Sequence, residues 1–267
     1  MLTDSQLIQF DVFGFLVLRG ILAPEEIERA WADFEVGLTS AREGMDRIGI
    51  RGQLNWSNLR PETPFLATLL EDERFFGVAQ QILGEDAVGS FSNANSFDGD
   101  RTEWHPDVVH PDWRGIKFGF YLQPLDRNSG ALRFIPGSHK EPLMSNLKKV
   151  TLKESNLGPI DESGLRVEEV PAFAAESEPG DVVMFDNHTW HGSYGGGKDR
   201  RMCTMGYFAS PKNRWQEQAV RSMVEADTQL TAKFPHLARS PQWLKNADGD
   251  LTRGRWIAML RKWGFAE

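Results

Sequence analysis

The amino-acid sequence predicts a mainly β fold, an antiparallel sandwich or barrel with helices flanking it. Three observations carry that expectation. From about residue 88 to residue 208 short apolar runs recur, separated by turn clusters such as "DGD", "DRNSG", "PGSH", "EPGD" and "GGGKD", the spacing of a sheet that folds back on itself. On either side the apolar period lengthens to that of a helix. The 267 residues are 40% hydrophobic and 25% charged and include nine Trp and seventeen Phe, enough apolar area for a sizeable core. Neither linker, internal repeat nor low-complexity tract interrupts the chain. One domain over 1–267 is expected, with helices in 1–85 and 213–267 buttressing a β core at 86–212.

The elements follow in order. "TDSQLIQFDVFG" reads as a short helix, capped by Thr3 or Asp4 and stopped near Gly14. "FLVLRG" reads as a strand. "APEEIERAWADFEVGL" restarts a helix: Pro24 suits the first turn, Glu25 and Glu26 favour the positive end of its dipole, and Ile27, Ala30, Trp31 and Phe34 repeat at helical spacing. Residues 61–84 read as further helix closing at Gly84. Strand candidates are "VGSFSNANSF", "IKFGFYLQPL", "GALRFIPG", "LRVEEVPAF", "GDVVMFDNHTWHG" and "RRMCTMGYFA". Helical text returns after residue 213, where Trp256, Met259, Leu260 and Trp263 form a packing stripe.

Charge and cysteine content narrow the function. A formal net charge of -8 opposes binding to nucleic acid. The single cysteine, Cys203, sits in a hydrophobic run and reads as a core thiol of a reducing cytoplasm. The opening residues lack a basic leader and cleavage site, and no run reaches membrane-spanning length. A soluble, unprocessed, cytoplasmic protein with a small-molecule partner is expected, away from nucleic acid and membrane. No motif selects an oligomeric state. The basic residues within 39–60 read as a solvated face before a cationic lid.

Chemistry concentrates in "TEWHPDVVHPDW", residues 102–113. In an extended segment His105 and Asp107 project to one side, placing an imidazole and a carboxylate together. His-x-Asp alone is common in proteins that bind no metal. Here "FDNHTWHGS" offers a further donor from His188 or His191, of which strand alternation admits one. Two histidines and a carboxylate with open positions opposite suit non-haem Fe(II).

Taken together, "WHPD", "SGALRFIPGSHK", "GDVVMFDNHTWHGS" and the following Arg strand resemble the phytanoyl-CoA dioxygenase family of Fe(II)/2-oxoglutarate-dependent oxygenases, as does the opening "FDVFGFLVLRGIL". The resemblance spans about residues 7–210. It implies a double-stranded β-helix (jelly roll, cupin-like) with flanking helices. It implies His105, Asp107 and His191 as metal ligands, with His188 outside the set. It also implies an arginine about ten residues after His191 that grips 2-oxoglutarate through a planar two-pronged donor. Arg200 and Arg201 compete; counting back from "GYF" favours Arg201 and turns Arg200 outward. Ser193 is a further hydroxyl for the same carboxylate. Asn93, Asn95 and Phe97 share one strand face; turned inward, the amides would bond 2-oxoglutarate or substrate, with Asn95 the candidate for the co-substrate, and turned outward they are ordinary polar positions. Phe118 and Phe120 read as core or pocket wall, Trp104, Trp113 and Trp190 as packing, His139 as part of a turn, and His110 and Asp112 as part of a mobile loop over the mouth.

The implied cofactors are Fe(II), 2-oxoglutarate as co-substrate and O2. The implied reaction releases succinate and CO2 and hydroxylates a carbon of a small metabolite. Halogenating relatives carry a small residue in place of the acid, so Asp107 favours hydroxylation or a related oxidation. Two alternatives are a Zn-dependent hydrolase on the same donors and a non-catalytic jelly-roll binding module.

Overall fold

A computed structural model describes residues 1–43, 52–99, 101–151 and 170–266. Helix α1 (Asp4–Phe13) begins at a reciprocal cap between Thr3 and Gln6 and stops at Gly14, whose φ of 82° only glycine adopts readily. Strand β1 (Phe15–Leu18) follows, then α2 (Pro24–Glu43), which buries Ala30, Phe34, Leu38 and Ala41. The helix expected over 61–84 is broken into α3 (Pro64–Thr68), a 3-10 turn (Leu69–Glu71) and α4 (Glu73–Leu83). The break falls at Asp72, which takes an extended conformation so that its carboxylate can cap Arg74 N.

The remaining elements are β2 (Gln53–Ser57), β3 (Val88–Phe97), β4 (Thr102–His105), β5 (Gly115–Tyr121), β6 (Arg133–Phe134), α5 (Leu143–Thr151), β7 (Phe173–Ala174), β8 (Val182–Asp186), β9 (His191–Ser193), β10 (Arg200–Phe208), α6 (Arg214–Lys233), α7 (Pro241–Lys245) and α8 (Leu251–Trp263). They form a six-stranded sheet, β1-β8-β5-β10-β3-β2, and a four-stranded sheet, β4-β9-β6-β7, with antiparallel pairing throughout.

Three sequence expectations change here. "GDVVMFDNHTWHG" is not one strand: a turn at 187–190 sends β8 into the large sheet and β9 into the small one. Of "LRVEEVPAF", Phe173 alone among the described residues enters β7, and 165–169 lie outside the described residues. The basic stretch 39–60 contains β2, which earns its place by pairing with β3, while 44–51 lie outside the described residues.

The large sheet has two unlike faces. Ile116, Phe118 and Phe120 of β5, Met184 of β8, and Cys203, Met205 and Tyr207 of β10 point outward into the core shared with the helices. The Cys203 thiol is buried there and pushed well above its ordinary pKa by burial. The opposite face looks toward the small sheet, where Phe15, Tyr121, Phe134, Val183 and Phe185 make a second apolar cluster. Trp256 of α8 is fully buried, packs edge-on to Phe76 at 4.9 Å and donates from Nε1 to the carbonyl of Ala87 at 3.1 Å. Trp256→Ala is therefore expected to destabilise the protein by about 3–5 kcal/mol, read as a lower urea midpoint.

Candidate functional site

The site begins with a cross-strand pair. β4 and β9 bring His105 directly opposite His191, and cross-strand neighbours interact closely on a shared face. The two rings lie 4.4 Å apart between centroids. Two residues past the end of β4, Asp107 places Oδ1 3.8 Å from His191 Nε2. Ligand atoms of His105, Asp107 and His191 all lie within 4.8 Å of one another.

Hydrogen bonds orient both imidazoles. His105 Nδ1 lies 2.8 Å from the carbonyl of Glu103, and His191 Nδ1 lies 2.9 Å from that of Thr189. A carbonyl only accepts, so each Nδ1 carries the proton and each Nε2 keeps a lone pair for a metal. Burial, aided by the neighbouring His105, lowers the His191 pKa to about 3, so the ring is neutral, as a ligand must be. Burial opposes ionisation of Asp107, yet Lys117 and the two histidines more than offset it and hold the carboxyl below its usual range. The donor set thus fits a divalent metal held by two nitrogens and one oxygen.

These groups stand at one end of a cavity of about 610 Å³ that runs between the sheets and out toward α6. Arg200 is buried on its wall and donates from Nη1 to the Gly130 carbonyl at 2.7 Å and to Ser193 Oγ at 3.0 Å. Its guanidinium lies 4.4 Å from the Phe97 ring centroid. Ser193 Oγ also shares a hydrogen bond with Thr102 Oγ1 at 2.9 Å. Asn95 faces the cavity and donates to Asn55 Oδ1 at 2.5 Å.

Arg201 does not join this group. It points to the helix side, lies over Trp31 at 4.3 Å and pairs with Asp199 and with Glu35 of α2. The choice made from the sequence is corrected by strand phase. Arg200, Met202, Thr204 and Gly206 share the cavity face of β10, whereas Arg201 shares the outward face with Cys203, Met205 and Tyr207. The signal was present: the odd-numbered set is the more apolar, so it belongs to the core, and Arg200 falls on the other side.

His188 is buried in the turn before β9, apart from the donor cluster, with Nδ1 3.0 Å from Asp186 Oδ1 and Nε2 2.9 Å from the carbonyl of His110. The turn, and not strand alternation, separates it from His191. The segment expected to be mobile is tied down. His188 holds His110, Val108 N donates to the Asn187 carbonyl, and Lys148 reaches the carbonyl of Val109. Trp113 of this segment lines the cavity, Trp190 is buried, and Phe118 and Phe120 belong to the core. His139 Nε2 contacts the Asp11 carbonyl at 3.0 Å, tying its turn to α1.

Sequence reasoning overlooked Lys117. It projects into the cavity from β5 and places Nζ 3.2 Å from both oxygens of Asp107. A lone charge within "GIKFGFYL", with a glycine two residues away on each side, was the available signal.

The phytanoyl-CoA dioxygenase (PhyH) family profile matches residues 10–203. An ectoine dioxygenase of Bordetella bronchiseptica is 26% identical over 215 residues, covering 72% of this chain and 70% of that protein. Among solved structures, HygX from Streptomyces hygroscopicus, with nickel and 2-oxoglutarate bound, superposes with a TM-score of 0.59 at 18% identity, over 79% of this chain and 88% of that one. EctD from S. alaskensis, with 2-oxoglutarate and 5-hydroxyectoine, superposes with a TM-score of 0.58 at 22% identity, over 78% and 76%. The two-sheet architecture is accordingly the jelly roll expected from the sequence. No helix among the described residues is long and apolar enough to cross a membrane.

His188 gives a test of how the segment around His110 is held. Burial lowers its pKa, but the hydrogen bond and charge of Asp186 more than compensate, leaving it above the ordinary histidine value. A raised folded-state pKa adds stability that is fully present below the unfolded value of about 6.5 and fades as pH rises through the folded value. His188→Asn is expected to lose this dependence, so that its stability deficit shrinks on going from about pH 6 to pH 9 in urea titrations.

Proposed function

The chain belongs to the phytanoyl-CoA dioxygenase family of Fe(II)- and 2-oxoglutarate-dependent oxygenases, and on that premise we propose that it hydroxylates an unactivated carbon of a small-molecule metabolite. The observation that carries the reading is the meeting of His105, Asp107 and His191 at one end of a cavity whose wall also holds Arg200. Family membership sets aside a zinc hydrolase and a non-catalytic binding module.

In this reading His105 and His191 offer Nε2, fixed by the carbonyls of Glu103 and Thr189, and Asp107 offers one carboxylate oxygen. Arg200, steadied by Ser193 and Gly130, receives the distal carboxylate of 2-oxoglutarate through a charge-assisted contact. Asn95 lines the same cavity and offers an amide to either ligand. Phe185, with its ring 4.8 Å from that of His191, closes the site with Phe134 and excludes water behind it. When bound there, iron and 2-oxoglutarate would supply the oxidation, one atom of O2 ending in succinate, with CO2 released, and the other in the product hydroxyl.

Ectoine and hygromycin B, named with the similar proteins, are the first compounds to assay by succinate release. Adding Fe(II) and 2-oxoglutarate anaerobically is expected to produce the visible charge-transfer band of a chelated keto acid. His105→Ala, Asp107→Ala and His191→Ala should each abolish it; a folded wild-type protein without the band would contradict the proposal. Arg200→Gln is expected to weaken 2-oxoglutarate binding roughly ten- to a hundredfold. Arg201→Gln should change it by less than about threefold, because it removes only a pairing on the helix side.

A further inference from the structure

We propose that Lys117 is a specificity-determining residue that binds a carboxylate of the substrate beside the metal, so that the substrate is a small carboxylic acid oxidised within a few bonds of that group. The inference rests on the oxygenase reading above and deepens it.

Lys117 is the one charged side chain on the cavity face of β5. On its own strand the two nearest positions on the cavity face are Gly115 and Gly119, and its partner across β10 is Gly206. A Cβ at Gly119 would lie 2.4 Å from Met202, and one at Gly206 would lie 2.1 Å from Phe91, so these glycines admit the side chains of Met202 and Phe91 beside Lys117. The Lys117 side chain reaches the metal end, where the ammonium lies 5.7 Å from the Phe185 ring centroid. Its 3.2 Å distances to the Asp107 oxygens exceed the usual 2.7–2.9 Å of a tight charge-assisted contact. An ammonium has three donors. The Asp107 oxygens take up two and a third remains for the cavity; a metal on one of those oxygens frees another.

Charge balance says what those donors meet. The ionised groups among the described cavity-lining residues are Asp107, Lys117 and Arg200 near the metal position, and Asp227 with Arg239 toward α6. Asp227 and Arg239 lie 3.6 Å apart and offset each other. With ferrous ion and the 2-oxoglutarate dianion in place, Asp107 and the dianion bring three negative charges. The iron brings two positive charges, and Arg200 and Lys117 one each. One positive charge is left over beside a largely apolar cavity wall, where an unmet charge is costly. Asp107 cannot meet it, since the metal has already claimed that carboxylate. A substrate monoanion can, and Lys117 is the cation in reach because Arg200 is committed to 2-oxoglutarate.

The test is equilibrium binding to the anaerobic Fe(II)–2-oxoglutarate protein, read as perturbation of its charge-transfer band. The probes are L-amino acids and short linear fatty acids, each paired with its primary carboxamide. Carboxylates that bind should do so at least about tenfold more tightly than their amides. Lys117→Gln should bring the two within about twofold and Lys117→Arg should preserve the preference, with 2-oxoglutarate affinity changed less than about threefold in both. The proposal is overturned if no carboxylate outbinds its amide, including the case where none perturbs the band. It is also overturned if Lys117→Gln keeps the preference, or if it weakens 2-oxoglutarate as severely as Arg200→Gln. Failure of the wild-type band to form would instead sink the oxygenase reading on which this one stands.

Discussion

The site depends on the pairing of two short strands. β4 and β9 together amount to a few residues, yet their register sets His105 opposite His191. Two imidazoles far apart along the chain then become neighbours on one sheet face. A slip of one residue in that ladder would turn one ring to the other face and leave no metal-binding pair. The short strands are held in register from outside. Ser138 Oγ accepts from Trp190 N, β6 pairs with β9 through Phe134 and His191, and Thr102 and Ser193 share a hydroxyl contact at the far end. Small sheet and metal position are one construction.

The large sheet supplies the second constraint, the phase of its alternation. β5 and β10 each have one largely apolar set packed on the helix side and one mixed set facing the cavity. Phe118 and Phe120 go to the core while Lys117 goes to the cavity; Cys203 and Met205 go to the core while Arg200 and Thr204 go to the cavity. Two adjacent arginines on β10 therefore have unrelated fates. Arg200 sits beside Ser193 within the cavity wall, and Arg201 ties the sheet to α2 through Glu35.

The fold class was legible because turn clusters and short apolar runs are local signals, and the cap at Thr3 and stop at Gly14 because they are chemistry of single residues. His105, Asp107 and His191 could be singled out from donor type and spacing aided by family resemblance, although their meeting is a matter of pairing between distant segments. The choice of Arg201 failed because phase was counted from the strand end and not from which alternate set was apolar enough to be core. β2 was hidden within a polar stretch, since "QLNWS" becomes a strand only by lying against β3. The break between β8 and β9 was equally hidden: a polar turn at 187–190 moves the chain from one sheet to another without interrupting the run of site residues. Lys117 escaped notice because the aromatic residues around it dominate the pattern.

The central claim is that three side chains converge on one ferrous ion. Anomalous diffraction at the iron edge, from crystals grown anaerobically with Fe(II), tests it most directly. The account predicts one peak per chain, bonded to Nε2 of His105, Nε2 of His191 and a carboxylate oxygen of Asp107. A peak elsewhere, or an iron-loaded crystal in which any of the three side chains makes no bond to the metal, would contradict it.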